Sequence, residues 1–199
     1  REVMWLIEDI NKVRQYNILG FVDDNPEVIG KTINNYPVLG NTDWLLDKEL
    51  YVVNAIGDPI IKKKVCLKLQ NTKNMYPILI HPSVIKSDLI SIGEGTIICA
   101  GNIITVNIDI GKHVIVNLDC TIGHDAIIND YSTILPSVNV SGAVTIGECV
   151  SVGTGSAIIQ GLSIGDNTVI GAGSVVVKDI PENTVAVGVP AKVIKVRSI

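Results

Sequence analysis

The chain of 199 residues contains three histidines, His81, His113 and His124. An imidazole changes protonation near neutral pH, so it can take a proton from an attacking amine or hydroxyl. His124 stands in Ile122-Gly123-His124-Asp125, with a carboxylate directly after it. His81, in Ile80-His81-Pro82, reads as a structural residue, and His113, after Lys112, reads as a solvated one. Taken alone, an exposed histidine such as His124 is an ordinary surface residue. The four cysteines, Cys66, Cys99, Cys120 and Cys149, show no C-x-x-C spacing and read as reduced thiols in a cytoplasmic protein.

The elements that must position these groups follow from a repeat. Fifteen positions spaced six apart, from Ile92 through Ile122, Ile128 and Val140 to Val176, are all Ile or Val. Four residues after each comes a mostly small or β-branched residue, such as Thr96, Cys120, Ala126 or Ser132. A period of six fits neither a helix nor simple strand alternation; it predicts one short strand and one corner per hexapeptide, a β-solenoid with three hexapeptides per coil. Residues 18 apart are then stacked neighbours at the strand spacing of about 4.8 Å. Gly142 stacks above His124, and Ala172 above Thr154. His113 and His124 are 11 apart and do not stack, and His81 precedes the regular repeat. Glycines directly after the Ile/Val position, such as Gly93, Gly123 and Gly153, are expected at corners that need positive φ.

Residues 1–82 read as a separate block, before a repeat domain at 83–199. The chain opens on a helical pattern in Val3, Leu6, Ile7 and Ile10, without a Met, which leads us to expect a strand and loop upstream. Strands are expected over 17–22, 51–56 and 76–80, alternating with a helix that Asp58-Pro59 opens. Ile61, Val65 and Leu69 form that helix's expected apolar stripe, with Lys62, Lys63, Lys64 and Lys68 mostly on its wet side. Such alternation predicts a small parallel α/β sheet, whose ligands lie beyond the strand carboxyl ends. Asp23-Asp24 and Gly57-Asp58 are the candidate positions, and Lys62, one turn into the helix, could reach a phosphate. The plainer reading is that Asp23 and Asp24 solvate a turn and Asp58 only caps. A net charge of −4 without a basic stripe argues against nucleic acid as a partner. No apolar run approaches the roughly 20 residues of a membrane span, and no signal peptide is visible.

The hexapeptides, with Val185-Ala186-Val187-Gly188-Val189-Pro190-Ala191-Lys192-Val193-Ile194 at their end, resemble the left-handed β-helix acyltransferases. Adding Gly20-Phe21-Val22-Asp23-Asp24, Ala55-Ile56-Gly57-Asp58, Ile80-His81-Pro82 and Gly123-His124-Asp125, the whole chain is similar to the sialic-acid O-acyltransferase-like family. That family includes the UDP-4-amino-sugar N-acetyltransferases of bacterial glycan pathways. The resemblance implies a Rossmann-like nucleotide-sugar-binding domain followed by a left-handed parallel β-helix. It further implies acetyl-CoA as co-substrate and a homotrimer with sites between subunits; no metal is expected, because the histidines do not share a stack. On the matching positions His124 is the general base and Asp125 the carboxylate that supports it. Gly142 N–H faces the thioester carbonyl, Thr154 and Ala172 line the pantetheine arm, and Asn117 lies near the acceptor. Two departures stand out: Thr133 where many members carry a second histidine, and Lys62 where the family has an arginine. The latter keeps the charge but loses the bidentate fork. An O-acetyltransferase acting on a sugar hydroxyl needs the same base. A zinc-dependent γ-class carbonic anhydrase, which needs three converging imidazoles, and a non-catalytic scaffold are the other readings.

Overall fold

A computed structural model describes residues 2–13 and 15–198; Arg1 lies outside them. Helix α1 (Glu2–Ile10) buries Met4, Leu6 and Ile10. Beyond it the first block departs from a regular parallel sheet. Phe21–Val22 pairs in parallel with Tyr36–Gly40, which in turn pairs antiparallel with Thr32–Ile33. The expected strand at 51–56 is reduced to a single parallel bridge between Tyr51 and Met75. At the end of the segment expected as a third strand, Leu79–Ile80 pairs with Ile97–Ile98, so these two residues form part of the solenoid. Ile80 is 18 residues before Ile98 and keeps the hexapeptide register. Lys86, at the intervening inward position, interrupts the apolar series and hides this first coil from a search for Ile and Val.

The repeat folds as a three-sided parallel β-helix with sheets of eight, six and five strands. The first face stacks Leu79–Ile80, Ile97–Ile98, Ile115–Val116, Thr133–Ile134, Ser151–Val152, Val169–Ile170 and Thr184–Val187, and Lys192–Val196 closes it antiparallel. The second carries Ile103–Ile104, Thr121–Ile122 and Asn139–Val140 among its strands; the third carries Ile108–Ile110, Ile127–Ile128 and Thr145–Ile146. Pairing is in register at 18 residues, as in Ile115 opposite Thr133 and Ile122 opposite Val140. The inward column of Ile98, Val116, Ile122, Ile134, Val140, Ile158 and Val176 is at most 2% exposed. Burial of each such side chain contributes roughly 1.5–3 kcal/mol.

The glycines do not play the expected part. Positive φ falls one position before the small inward residue, at Gly95, Asn107, Asp125, Ser137, Asn167 and their equivalents. The glycines directly after the Ile/Val column have no positive φ. They are required because a Cβ would strike the next coil: at Gly123 it would lie 2.6 Å from Gly142 N, and at Gly93 2.6 Å from the Gly111 carbonyl carbon. The two glycine classes thus answer two constraints, close approach between coils and left-handed backbone.

The first face is the one that the N-terminal block covers. Leu6 and Ile10 of α1 pack on Leu79, Ile97, Cys99 and Ile115. Helix α2 (Pro59–Leu69) lies farther along, with Pro59, Lys62, Cys66 and Leu69 buried, while Ile61 is 53% exposed. Its buried face is therefore rotated from the expected stripe of Ile61, Val65 and Leu69. Among the described residues no helix is long and apolar enough to cross a membrane.

If close approach is the constraint at the first glycine class, Gly153→Ala, whose Cβ would overlap the Ala172 backbone nitrogen, should cost about 1–3 kcal/mol or more. Gly155→Asn should be nearly neutral, because its added Cβ meets nothing within 4 Å and Asn already holds positive φ at 107 and 167. Denaturant melts of both variants measure the contrast; equal losses would contradict it.

Candidate active site

His124 and Asp125 sit at the corner between the second and third faces, just after the Thr121–Ile122 strand. Their side chains are 54% and 52% exposed. His124 Nδ1 lies 2.8 Å from Asp125 Oδ2. Asn107, one coil earlier, donates Nδ2 to Asp125 Oδ1 at 3.2 Å. The bond to His124, then that to Asn107, holds the Asp125 carboxyl below the usual carboxylate range. An ionised carboxylate only accepts, so Nδ1 carries the proton and Nε2 presents a lone pair. Asn107 was not singled out from the sequence; the 18-residue spacing from Asp125 is the signal that finds it.

Gly142 lies on the next coil at the same corner. A Cβ there would stand 2.5 Å from His124 Nε2 and 2.7 Å from Cε1, so the imidazole lies against the bare Gly142 Cα. Gly142 accepts at its carbonyl from Gly161 N (3.0 Å), whereas its own N–H meets no acceptor among the described residues. At the corner between the third and first faces the matching N–H groups are taken: Lys112 N and Glu148 N donate at 2.7 Å to Asp130 and Asp166, each one coil on. An uncommitted N–H next to a histidine lone pair can stabilise an oxyanion as the base takes a proton.

The other expected site residues are elsewhere. Thr154 and Ala172 are exposed and share the corner between the first and second faces, not the corner of His124. Asn117 lies on that same corner, with its side-chain oxygen accepting from Leu118 N at 2.7 Å, beside Trp5 and His81. In the first block Asp23 accepts from Asn25 N at 2.9 Å, and Asp24 accepts from Thr42 N at 2.7 Å and Thr42 Oγ1 at 3.2 Å. The Thr42 amide, foremost, keeps the Asp24 carboxyl below its ordinary value. Asp58 caps α2 by accepting from Ile61 N at 2.9 Å, and Gly57 faces open space.

Two expectations are corrected. Lys62 does not present its charge to a ligand: it is fully buried, and Nζ donates to Thr133 Oγ1 at 2.9 Å and Ser132 O at 3.2 Å. Desolvation there lowers its pKa to about 7. His113 is not solvated: it is buried, edge-on to Tyr76 at 4.9 Å and stacked on Tyr131 at 5.6 Å. Burial also lowers its pKa. His81 holds Asp9 Oδ2 at 3.1 Å and Ser83 Oγ at 2.7 Å. Among the described residues no group of three or more His, Cys, Asp or Glu is arranged to hold a metal ion.

The chain is similar to known proteins in sequence and in fold. Residues 5–69 match the PglD N-terminal domain. Over 158 residues the chain is 34% identical to a GDP-perosamine N-acetyltransferase of Escherichia coli O157:H7, covering 78% of this chain and 70% of that one. The chain belongs to this family of hexapeptide-repeat acetyltransferases. A histidine-to-asparagine variant of perosamine N-acetyltransferase from Caulobacter crescentus, in complex with CoA and GDP-perosamine, superposes with a TM-score of 0.88 at 29% identity, covering 98% of this chain and 92% of that one. The acetyltransferase domain of PglB from Neisseria gonorrhoeae FA1090, in complex with acetyl coenzyme A, gives 0.86 at 29% identity, covering 95% and 92%.

Two outcomes follow from the geometry. Gly142→Ala keeps the N–H but displaces the His124 ring, and a misplacement of about 1 Å costs roughly a hundredfold in turnover; an unchanged rate with normal folding would refute the packing argument. For Lys62 the sign is set by a folded pKa of about 7 against an ordinary value of 10.5. Above pH 7 the unfolded chain binds more protons at this residue, so stability rises with pH, by at most about 1.4 kcal/mol per unit. The buried thiols of Cys99, Cys120 and Cys149, pushed up to about 11, oppose this once unfolded thiols ionise near their usual value of about 8.5. Denaturant titrations from pH 6.5 to 8.0 should show the rise, and Lys62→Met should remove most of it, leaving the smaller rise near pH 6.5 that the lowered His113 pKa gives.

Proposed function

We propose that this protein moves the acetyl group of acetyl-CoA onto the amino group of a nucleotide-linked 4-amino sugar, with His124 as general base. The observation that carries the reading is the His124–Asp125 pair at 2.8 Å, with Nε2 against Gly142, in a chain of this acetyltransferase family. The amine nitrogen attacks the thioester carbonyl carbon, and Nε2 takes its proton as the N–C bond forms. Gly142 N–H stabilises the developing oxyanion. The C–S bond then breaks, and the imidazolium returns the proton to the departing thiolate, so no acyl-enzyme forms.

The nucleotide diphosphate is assigned to the N-terminal block. Gly57 leaves open space before the α2 N-terminus, and anions favour such an end. Asp58 serves there by capping α2, Asp24 by holding the Thr42 amide, and Asp23 through its turn. The sequence reading favours a UDP sugar, whereas the matched Escherichia coli and Caulobacter proteins are named for GDP-perosamine. A panel of UDP- and GDP-linked amino sugars, read by thiol release, decides the base.

Thr154, Ala172 and Asn117 lie one corner away from His124 and Gly142. In a homotrimer, one CoA lying between two chains meets the His124 corner of one and the Thr154–Ala172 corner of the other, an arrangement that occurs three times. Apolar side chains left open on the prism, Ile85 at 66%, Ile103 at 43% and Ile159 at 44%, support such an assembly. His124→Ala should lower turnover by about 10²- to 10⁴-fold, and Ala172→Trp should block CoA. Mixing the two inactive chains by co-expression should restore about a quarter of the sites by random assembly. A mixture as inactive as its parents would place the whole site in one chain; normal turnover by His124→Ala would remove the base.

A further inference from the structure

Lys62 is an expensive residue to keep where it is. It is fully buried, and its Nζ has two hydrogen bonds, to Thr133 Oγ1 and Ser132 O, with no carboxylate bonded to it. Neutral partners offset only part of the desolvation of a buried cation, and an apolar residue of similar shape is often more stable in such a place. Surface ties between the same elements exist already: Lys63, the next residue of α2, pairs with Glu148 of the prism at 2.9 Å, both partly exposed.

The bonds around Lys62 form a continuous chain. Ile56 N donates to Asn54 Oδ1 at 3.2 Å, and buried Asn54 donates Nδ2 to the Lys62 carbonyl at 3.2 Å. Lys62 N donates to the Asp58 carbonyl at 2.9 Å. The Lys62 side chain then crosses the seam to Thr133, which is 1% exposed on the first face. Ser132, the other acceptor, is itself anchored, donating Oγ to Gly147 O at 2.7 Å and accepting from Val150 N at 2.9 Å. The loop Ile56-Gly57-Asp58 is thereby referenced to a rigid point of the β-helix. We propose that Lys62 is a positioning residue, which through Asn54 and Thr133 sets the nucleotide loop relative to the acetyl-transfer corner and so governs acceptor recognition. The inference rests on the nucleotide-sugar reading of that loop.

The Lys62–Thr133 bond can be cut from either side. Lys62→Met and Thr133→Val should each raise the acceptor KM about ten- to a hundredfold and leave the acetyl-CoA KM unchanged, with melting temperatures at pH 7.5 not lowered for Lys62→Met. The double variant should be no worse than either single one, because both remove the same bond. Lys63→Ala, which removes the exposed pair, should leave both constants alone. Unchanged acceptor KM in folded Lys62→Met and Thr133→Val would overturn the inference while leaving the proposed reaction intact. Parallel losses in both KM values and in melting temperature would reduce Lys62 to a structural role. Should Lys62→Met fail to fold, Thr133→Val alone decides. Failure of the unaltered protein to acetylate any nucleotide-linked amino sugar would overturn the proposed reaction itself.

Discussion

Everything in this molecule depends on the stacking of successive coils at strand spacing with a register of 18 residues. The hydrogen bonds that enforce it are regular: Ile97 N to Val114 O, Ile115 N to Ser132 O and Thr133 N to Val150 O, all between 2.8 and 3.0 Å. Inside, the Ile/Val column leaves the prism no freedom to slip, since a shift of one residue would turn each buried side chain outward. Small inward residues let the coil close, and several also work as polar staples: Ser132 Oγ and Thr96 Oγ1 each bond a carbonyl and an N–H of the next coil. A scaffold of this kind gives side chains at its corners fixed spacings with almost no conformational entropy left to lose.

The corner of His124 shows how one position can be specialised within a uniform repeat. At the corner between the third and first faces, an acidic residue one coil on satisfies the exposed N–H. At the His124 corner that place belongs to Gly142, which has no side chain to offer and whose Cα gives the imidazole its seat. Removing a side chain here does two things together: it leaves the His124 N–H without such a partner and makes room for the ring. The left-handed backbone at Asp125, φ 59°, is the ordinary geometry of that repeat position and not a local distortion. It is met by a residue type that tolerates such φ and whose carboxylate fixes the tautomer of His124.

How much of this was legible in the sequence depended on whether the signal was periodic. The solenoid, the 18-residue stacking and the juxtaposition of Gly142 with His124 came from counting. The first coil escaped because Lys86 stands where an Ile was sought, although Ile80 keeps the register. Both glycine classes occupy corners, and only coordinates separate a Cβ clash with the next coil from positive φ. The N-terminal block was read least well. Its strand at 51–56 is apolar enough to be buried, yet it forms only a bridge, since burial does not dictate pairing. Lys62 and His113 were misplaced for one reason: polar side chains were assigned to solvent without knowing which face of the prism the block would cover.

That covered face explains the division of labour among the charged and polar groups. Among the described residues no helix covers faces two and three, and their shared corner keeps His124 half exposed. The first face is covered by α1 and α2 from Leu79–Ile80 to Thr133–Ile134, so a polar group buried there, such as Thr133, acts through geometry. A hydrogen bond across such a seam has a direction and a length, whereas the apolar packing of Leu6 and Ile10 on Leu79 and Ile97 tolerates small sliding. Apolar contacts can therefore hold the two parts together without specifying their register. A buried lysine reaching Thr133 specifies it, and the cost of a buried donor without an acceptor opposes any docking that leaves Nζ without those partners. For the proposed reaction, in which the acceptor must be brought to His124 on a separate element, that discrimination matters more than the stability it forgoes.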